Sequence, residues 1–106
     1  MTSAILPLMH RVRTEFGSLY GGRLRGLYLF GSYARGEQDN ESDLDILIVL
    51  DRVDHYAGEV ERTSFLVSQL SLAHGVSISR VFVSEADWRN GQTPFLLNVR
   101  EEALAA

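Results

Sequence analysis

The chain has 106 residues, formal net charge −4 and a pI near 5.2, with 45% apolar and 23% charged residues, the composition of an ordinary soluble globular protein. That length suits one domain with one modest core (residues 1–106), and the acidic balance argues against an extended nucleic-acid surface. With no cysteine there is neither a disulfide framework nor a thiolate metal site. The longest apolar run is too short to span a bilayer and no leader segment is evident, so a cytoplasmic protein is expected, with no membrane contact.

From Ser3 to about Tyr20, Ile5, Leu8, Met9, Val12, Phe16 and Leu19 recur at helical spacing. Thr2 or Ser3 is placed to cap this helix, unless Pro7, which belongs in a first turn, makes it begin nearer to itself; Gly21-Gly22 ends it. Leu24 to Phe30 reads as a strand. Gly31-Ser32 then breaks it, Tyr33-Ala34-Arg35 starts a helical turn, and residues 36–42 are polar. Leu44 to Leu50 is nearly continuously apolar, as expected of a central strand. Asp51 to Asp54 turns into a second helix, His55 to His74, with Tyr56, Val60, Leu66, Val67, Leu70 and Ala73 on its apolar face and Gly75 as its stop. Val76 to Val83 is a third strand, Ser84 to Trp88 turns away from it, and Thr93-Pro94 opens a last helix through Phe95, Leu96, Val99 and Leu104. This order predicts an α/β domain of two layers, a small mixed β-sheet packed by helices.

The chemistry concentrates between Gly31 and Asp45. Side chains alternate along a strand, so Asp43 and Asp45 share one side while Leu44 and Ile46 enter the opposite layer. Adjacent carboxylates repel and cost desolvation, which a hard cation such as Mg²⁺ relieves. The bland alternative makes Asp43 a turn cap and Asp45 a solvent-facing strand residue, yet Asp is disfavoured inside strands. Glycine permits close approach of a ligand to the backbone. Unpaired N–H groups and the Ser32 hydroxyl suit phosphate oxygens, so both elements would face one cleft.

Gly31-Ser32, ten residues, then Asp43-x-Asp45, with Ala34-Arg35-Gly36 after the serine and Ser42 before the first aspartate, resembles the signature of the minimal nucleotidyltransferase domains of the DNA polymerase β superfamily. Prokaryotic domains with this pattern often resemble the antitoxin half of a toxin–antitoxin pair whose partner is a helical HEPN protein. The resemblance implies the nucleotidyltransferase fold and a nucleoside triphosphate substrate, ATP above all. It also implies Asp43 and Asp45 as catalytic metal ligands for Mg²⁺, and Gly31 and Ser32 as holders of the β and γ phosphates. A nucleoside monophosphate would pass to a hydroxyl, with a tyrosine of a HEPN toxin as the natural acceptor; oligomerisation is left open.

Arg35 either reaches the triphosphate or pairs with Glu37, Asp39 or a site carboxylate. The family places a third carboxylate on a neighbouring strand, here within Val76 to Val83, which contains none. Ser79 or Arg80 stands where it is sought, and Arg80 would compete with a cation by charge. Glu85 and Asp87 follow that strand as distant substitutes. The gap keeps a second function in view, a degenerate domain acting as an antitoxin or assembly partner by contact alone. Asp39 and Glu41 read as solvated loop charges; His10, His55 and His74 share no metal-ligand spacing. Trp88 reads as a packing residue, whereas Tyr33, directly after the Gly-Ser turn, is a candidate ligand contact. No Ser-His-Asp nucleophile, Walker loop or dinucleotide fingerprint is present.

Overall fold

The computed structural model describes residues 5–106; the expected caps at Thr2 or Ser3 lie outside them. In chain order the elements are α1 (Leu6–Tyr20), a 3₁₀ turn (Gly21–Arg23), β1 (Leu24–Phe30), α2 (Ser32–Arg35), β2 (Leu44–Leu50), α3 (Tyr56–His74), β3 (Ile78–Ser84), α4 (Glu85–Asn90), α5 (Pro94–Glu102) and β4 (Leu104–Ala105). The four strands form one mixed sheet in the order β3-β2-β1-β4, with β2 parallel to β3 and β1 antiparallel to both of its neighbours.

Helix α1 buries Leu8, Met9, Val12, Phe16 and Tyr20 with Pro7 in its first turn. Leu19, expected on the core face, is 40% exposed, and Tyr20 closes the stripe instead. Its hydroxyl donates 2.9 Å to the buried carboxylate of Glu59, a polar partner that hydrophobic spacing alone does not register. The same network explains α3. Its buried stripe is Glu59, Thr63, Val67 and Leu70, with two polar members, while Tyr56, expected on the core face, is 47% exposed.

β2 is apolar on both faces because both faces are covered. Leu44, Ile46, Ile48 and Leu50 pack with α1 and α3 in the main core. Leu47 and Val49 join Val83, Leu96 and Val99 in a second, smaller core under α5. The helical layer expected from the sequence is therefore that of α1 and α3, and the short helices add partial cover to the opposite face.

Two elements at the C-terminal end differ from the sequence reading. The segment after β3, expected as a turn, forms α4, whose N-cap Ser84 accepts from the Asp87 N–H at 3.1 Å. Leu104, expected on the last helix, lies on β4 and registers with Leu29. α5 ends at Glu102, after an expected start in which Thr93 caps and Pro94 opens the helix. Trp88 packs on Tyr28 with ring centroids 4.8 Å apart, the packing role expected of it.

Candidate active site

β1 delivers the chain into the Gly31-Ser32 turn, and the backbone there is built around glycine. Gly31 has φ 76° and ψ −155°, a combination essentially confined to glycine. Its carbonyl accepts the Arg35 N–H at 3.1 Å, and that of Ser32 accepts the Glu37 N–H at 2.9 Å. Gly36 at φ 72° then ends the single helical turn. Phe30 registers with Asp45 across the β1–β2 ladder, so the turn and the carboxylate are brought side by side. The approach is close: a Cβ on Gly31 would stand 2.2 Å from Asp45 Oδ2.

Asp43 is exposed immediately before β2, and Asp45 is part-buried within it. Asp45 shares its face of the strand with Leu47 and Val49, so the acid pair lies on the α5 side of the sheet, away from α1 and α3. Burial is the first cause that pushes the Asp45 carboxyl above its usual range; the charges of Asp43 and Glu102 add to it and Arg35 opposes it. A carboxylate disfavoured in its ionised form by a second carboxylate is a site that a cation would relieve.

Arg35 takes the pairing role. It donates to Glu37 Oε2 at 3.1 Å and to Glu102 Oε2 at 2.9 Å. Glu102 also accepts the Gly31 N–H at 3.3 Å, which makes it the residue of this site that the sequence reading missed. Its position depends on where α5 ends and folds back over the turn, and no local motif signals it. Ser32, part-buried, opens α2 directly beside these groups.

Asp39 and Glu41 are exposed, as expected, yet Asp39 also shapes the loop. Its Oδ1 accepts the Glu41 N–H at 2.9 Å and stands 3.2 Å from Ser42 Oγ, which accepts the Asp39 N–H at 2.9 Å. Tyr33 packs against the main core and lines a cleft of about 610 Å³ with Gln38, Ser42 and His74.

The third acid sought on β3 is absent. Ser79 registers with Asp45, and Arg80 is on the opposite face. There Arg80 donates to Thr63 Oγ1 at 2.7 Å and to the Val60 carbonyl at 2.8 Å, tying α3 to the sheet. Its expected competition with a cation is thereby corrected. Glu85 and Asp87 do not substitute either. They follow Ser84, which registers with Leu50 at the far end of β2, roughly 16 Å from Asp45 at the rise of an extended strand. Among the described residues no three His, Cys, Asp or Glu side chains are grouped to hold a metal. Asp43 and Asp45 would offer a hard cation two carboxylates rather than a three-acid cage.

The profile of the nucleotidyltransferase domain family matches residues 9–91. A protein of Methanocaldococcus jannaschii named "Putative protein adenylyltransferase MJ0604" is 44% identical over 68 residues, 64% of this chain and 62% of that protein. The chain thus spans less than two thirds of that relative's length. A second protein of the same organism, "Putative protein adenylyltransferase MJ0141", is 30% identical over 77 residues, 73% of this chain and 77% of its own. Among solved structures, a toxin–antitoxin crystallised with AMP-PNP superposes with TM-score 0.61 at 23% identity, covering 88% of this chain and 68% of that one. A mutant of the toxin–antitoxin MntA-HpeT superposes with TM-score 0.62 at 21% identity, covering 90% and 69%. At those identities the structures attest the shared fold, while the profile and the sequence relatives carry the assignment: the chain belongs to the nucleotidyltransferase domain family.

Proposed function

We propose that the chain transfers a nucleoside monophosphate from a nucleoside triphosphate, ATP by the naming of its relatives, to a hydroxyl. The observation that carries this reading is the contact of the Gly31 turn with the Asp45 carboxylate, which only glycine permits. It sets a turn suited to phosphate oxygens directly beside the acid pair. In the reaction the hydroxyl oxygen bonds to the α-phosphorus, the bond to the β-phosphate oxygen breaks, pyrophosphate leaves and the hydroxyl proton is released. Gly31 and Ser32 hold the β and γ phosphates, and Arg35 matches a phosphate edge with its guanidinium fork. Asp43 and Asp45 would hold Mg²⁺, which when bound neutralises charge developing on the phosphates.

Two relatives are named protein adenylyltransferases, and two fold neighbours are toxin–antitoxin structures. These support an acceptor on a partner protein, with a tyrosine of a HEPN-type toxin as the specific candidate. Among the described residues no helix is long and apolar enough to cross a membrane, and we place the reaction in the cytoplasm, within a single domain. One observation favours a second reading, a degenerate module that neutralises or assembles with a partner by contact: the acid pair lacks a third member.

Calorimetric titration with ATP and with a nonhydrolysable analogue, with and without Mg²⁺, separates the two. Transfer predicts Mg²⁺-dependent binding that Asp43→Asn abolishes while the fold is retained, followed by label transfer from α-labelled ATP to the partner. Absence of binding at millimolar nucleotide, alone and with the partner, refutes the enzyme reading in favour of the contact module.

A further inference from the structure

Glu102 ends α5 with a negative charge where the helix macrodipole disfavours one. Its carboxylate turns toward the nucleotide turn, with the side chain 24% exposed. Oε1 accepts from the Gly31 N–H and Oε2 from the Arg35 guanidinium. A carboxylate and a phosphate present similar pairs of oxygens to such donors. Two of the groups assigned above to the nucleotide phosphates are therefore already engaged by an anion of the chain itself.

The segment that follows holds Glu102 in place through few bonds. The Ala103 N–H donates to the Val99 carbonyl at 2.8 Å and the Ala106 N–H to the Leu27 carbonyl at 2.9 Å. Between them the two residues of β4 pair with Tyr28 and Leu29 at the edge of the sheet. Arg13 Nη1 donates to the Ala106 carbonyl at 2.8 Å. Leu104 is 36% exposed, and the segment's contact with the cores is made only by the small side chains of Ala103 and Ala106; a short edge strand of this kind opens locally without global unfolding.

We propose that Glu102 is an internal occupant of the phosphate donors and that the segment from Glu102 to Ala106 is a latch, displaced when a triphosphate binds. The proposal rests on the nucleotide reading above. Ligand and latch compete for Gly31 N–H and Arg35, so each weakens the other by the same factor. A rival role for Glu102, as the missing third acid beside Asp45, conflicts with its neutralisation by Arg35 and makes the opposite prediction for affinity.

The test titrates wild type, Glu102→Ala and Glu102→Gln with ATP and with inorganic tripolyphosphate in Mg²⁺, and follows amide exchange at residues 104–106. Thermal melts establish that both variants are folded. The latch predicts that Glu102→Ala binds both ligands about tenfold more tightly, the scale of one charge-assisted hydrogen bond, with Glu102→Gln between. It also predicts faster exchange at 104–106 in wild type when whichever of the two ligands binds is added. Equal affinities, tighter binding without faster exchange, or no binding of either ligand to any of the three proteins overturns it. Weaker binding by Glu102→Ala overturns it in favour of a cation-ligand role. Tripolyphosphate that tightens while ATP fails to bind upholds the latch and removes the nucleotide reading.

Discussion

Gly31→Ala tests the junction on which the site depends. The backbone at φ 76° and ψ −155° costs a residue with a Cβ about 1–3 kcal/mol. The new methyl would meet Asp45 Oδ2 at 2.2 Å, Cγ at 3.1 Å and Cβ at 3.3 Å. Rotating the carboxylate relieves only the first of these, and Cγ and Cβ must also give by a few tenths of an ångström, a shift costing on the order of 0.5–1.5 kcal/mol. Against both stands the lower entropy of the unfolded alanine chain, worth about 0.4–1 kcal/mol. The net expectation is a loss of about 0.5–4 kcal/mol, centred on ~2 kcal/mol. Urea unfolding of wild type, Gly31→Ala, Asp45→Ala and the double variant measures it and divides it. In the Asp45→Ala background about 1 kcal/mol of the penalty should return, because the clash is gone while the backbone strain remains. A loss below about 0.5 kcal/mol, or no coupling between the two sites, would refute the argument that the turn is shaped by its contact with Asp45.

Arg80→Ala should lower stability by about 1–3 kcal/mol, since it removes the charge-assisted bonds to the Thr63 hydroxyl and the Val60 carbonyl that tie α3 to the sheet. It should leave nucleotide affinity unchanged, and a lost affinity in titration would contradict its placement on the opposite face. Asp45→Asn should stabilise the protein at neutral pH, on the order of 1 kcal/mol at most once solvent screening is allowed for. The sign follows from the raised carboxyl: ionisation is harder in the folded state, so the group subtracts stability above its folded pKa and nothing below the unfolded value near ~3.9. Denaturation at pH 7 and pH 3 should therefore show the gain and its disappearance. Glu59→Gln should cost about 2–3 kcal/mol at pH 7 by leaving Arg23 and Tyr20 poorly matched. Burial opposes ionisation of Glu59, but bonds from Arg23 and Tyr20 outweigh it and its pKa is lowered. Its contribution is present above the unfolded carboxylate value and fades as pH falls through the folded one, so the penalty should shrink in acid.

Local pattern carried most of this fold because each main element states its own geometry. The run from Leu44 to Leu50 is apolar on both faces and proved central, covered on both sides. Gly31, Gly36 and Gly75 stand at positive φ, where turns and helix ends require them. What pattern could not supply was the content of the α3 stripe. Glu59 and Thr63 break its hydrophobic periodicity, and they are buried because Tyr20, Arg23 and Arg80 reach them from elsewhere. Residues 17 to 39 places away in the sequence decide those positions, and a window of one helix does not contain them. Leu104 shows the same limit in reverse, since its helical spacing yields to pairing with Leu29 on β1.

The candidate site divides along the same line. Gly31, Ser32, Asp43 and Asp45 were legible because a turn and a strand fix them within fifteen residues. The remaining anion was sought on β3 because a neighbouring strand is the shortest route to the side of Asp45. Ser79 stands there instead, and a hydroxyl brings no charge to neutralise a cation. Glu102 enters from α5, 57 residues after Asp45, and is already held by Arg35. The site therefore has its negative charge split between the Asp43–Asp45 pair and a third group closed by an internal cation. Opening that third group requires Arg35 to change partners. If a triphosphate is that second partner, as the latch proposal holds, then substrate binding and rearrangement of the site would be one event, and the affinity for nucleotide would measure their difference rather than either alone.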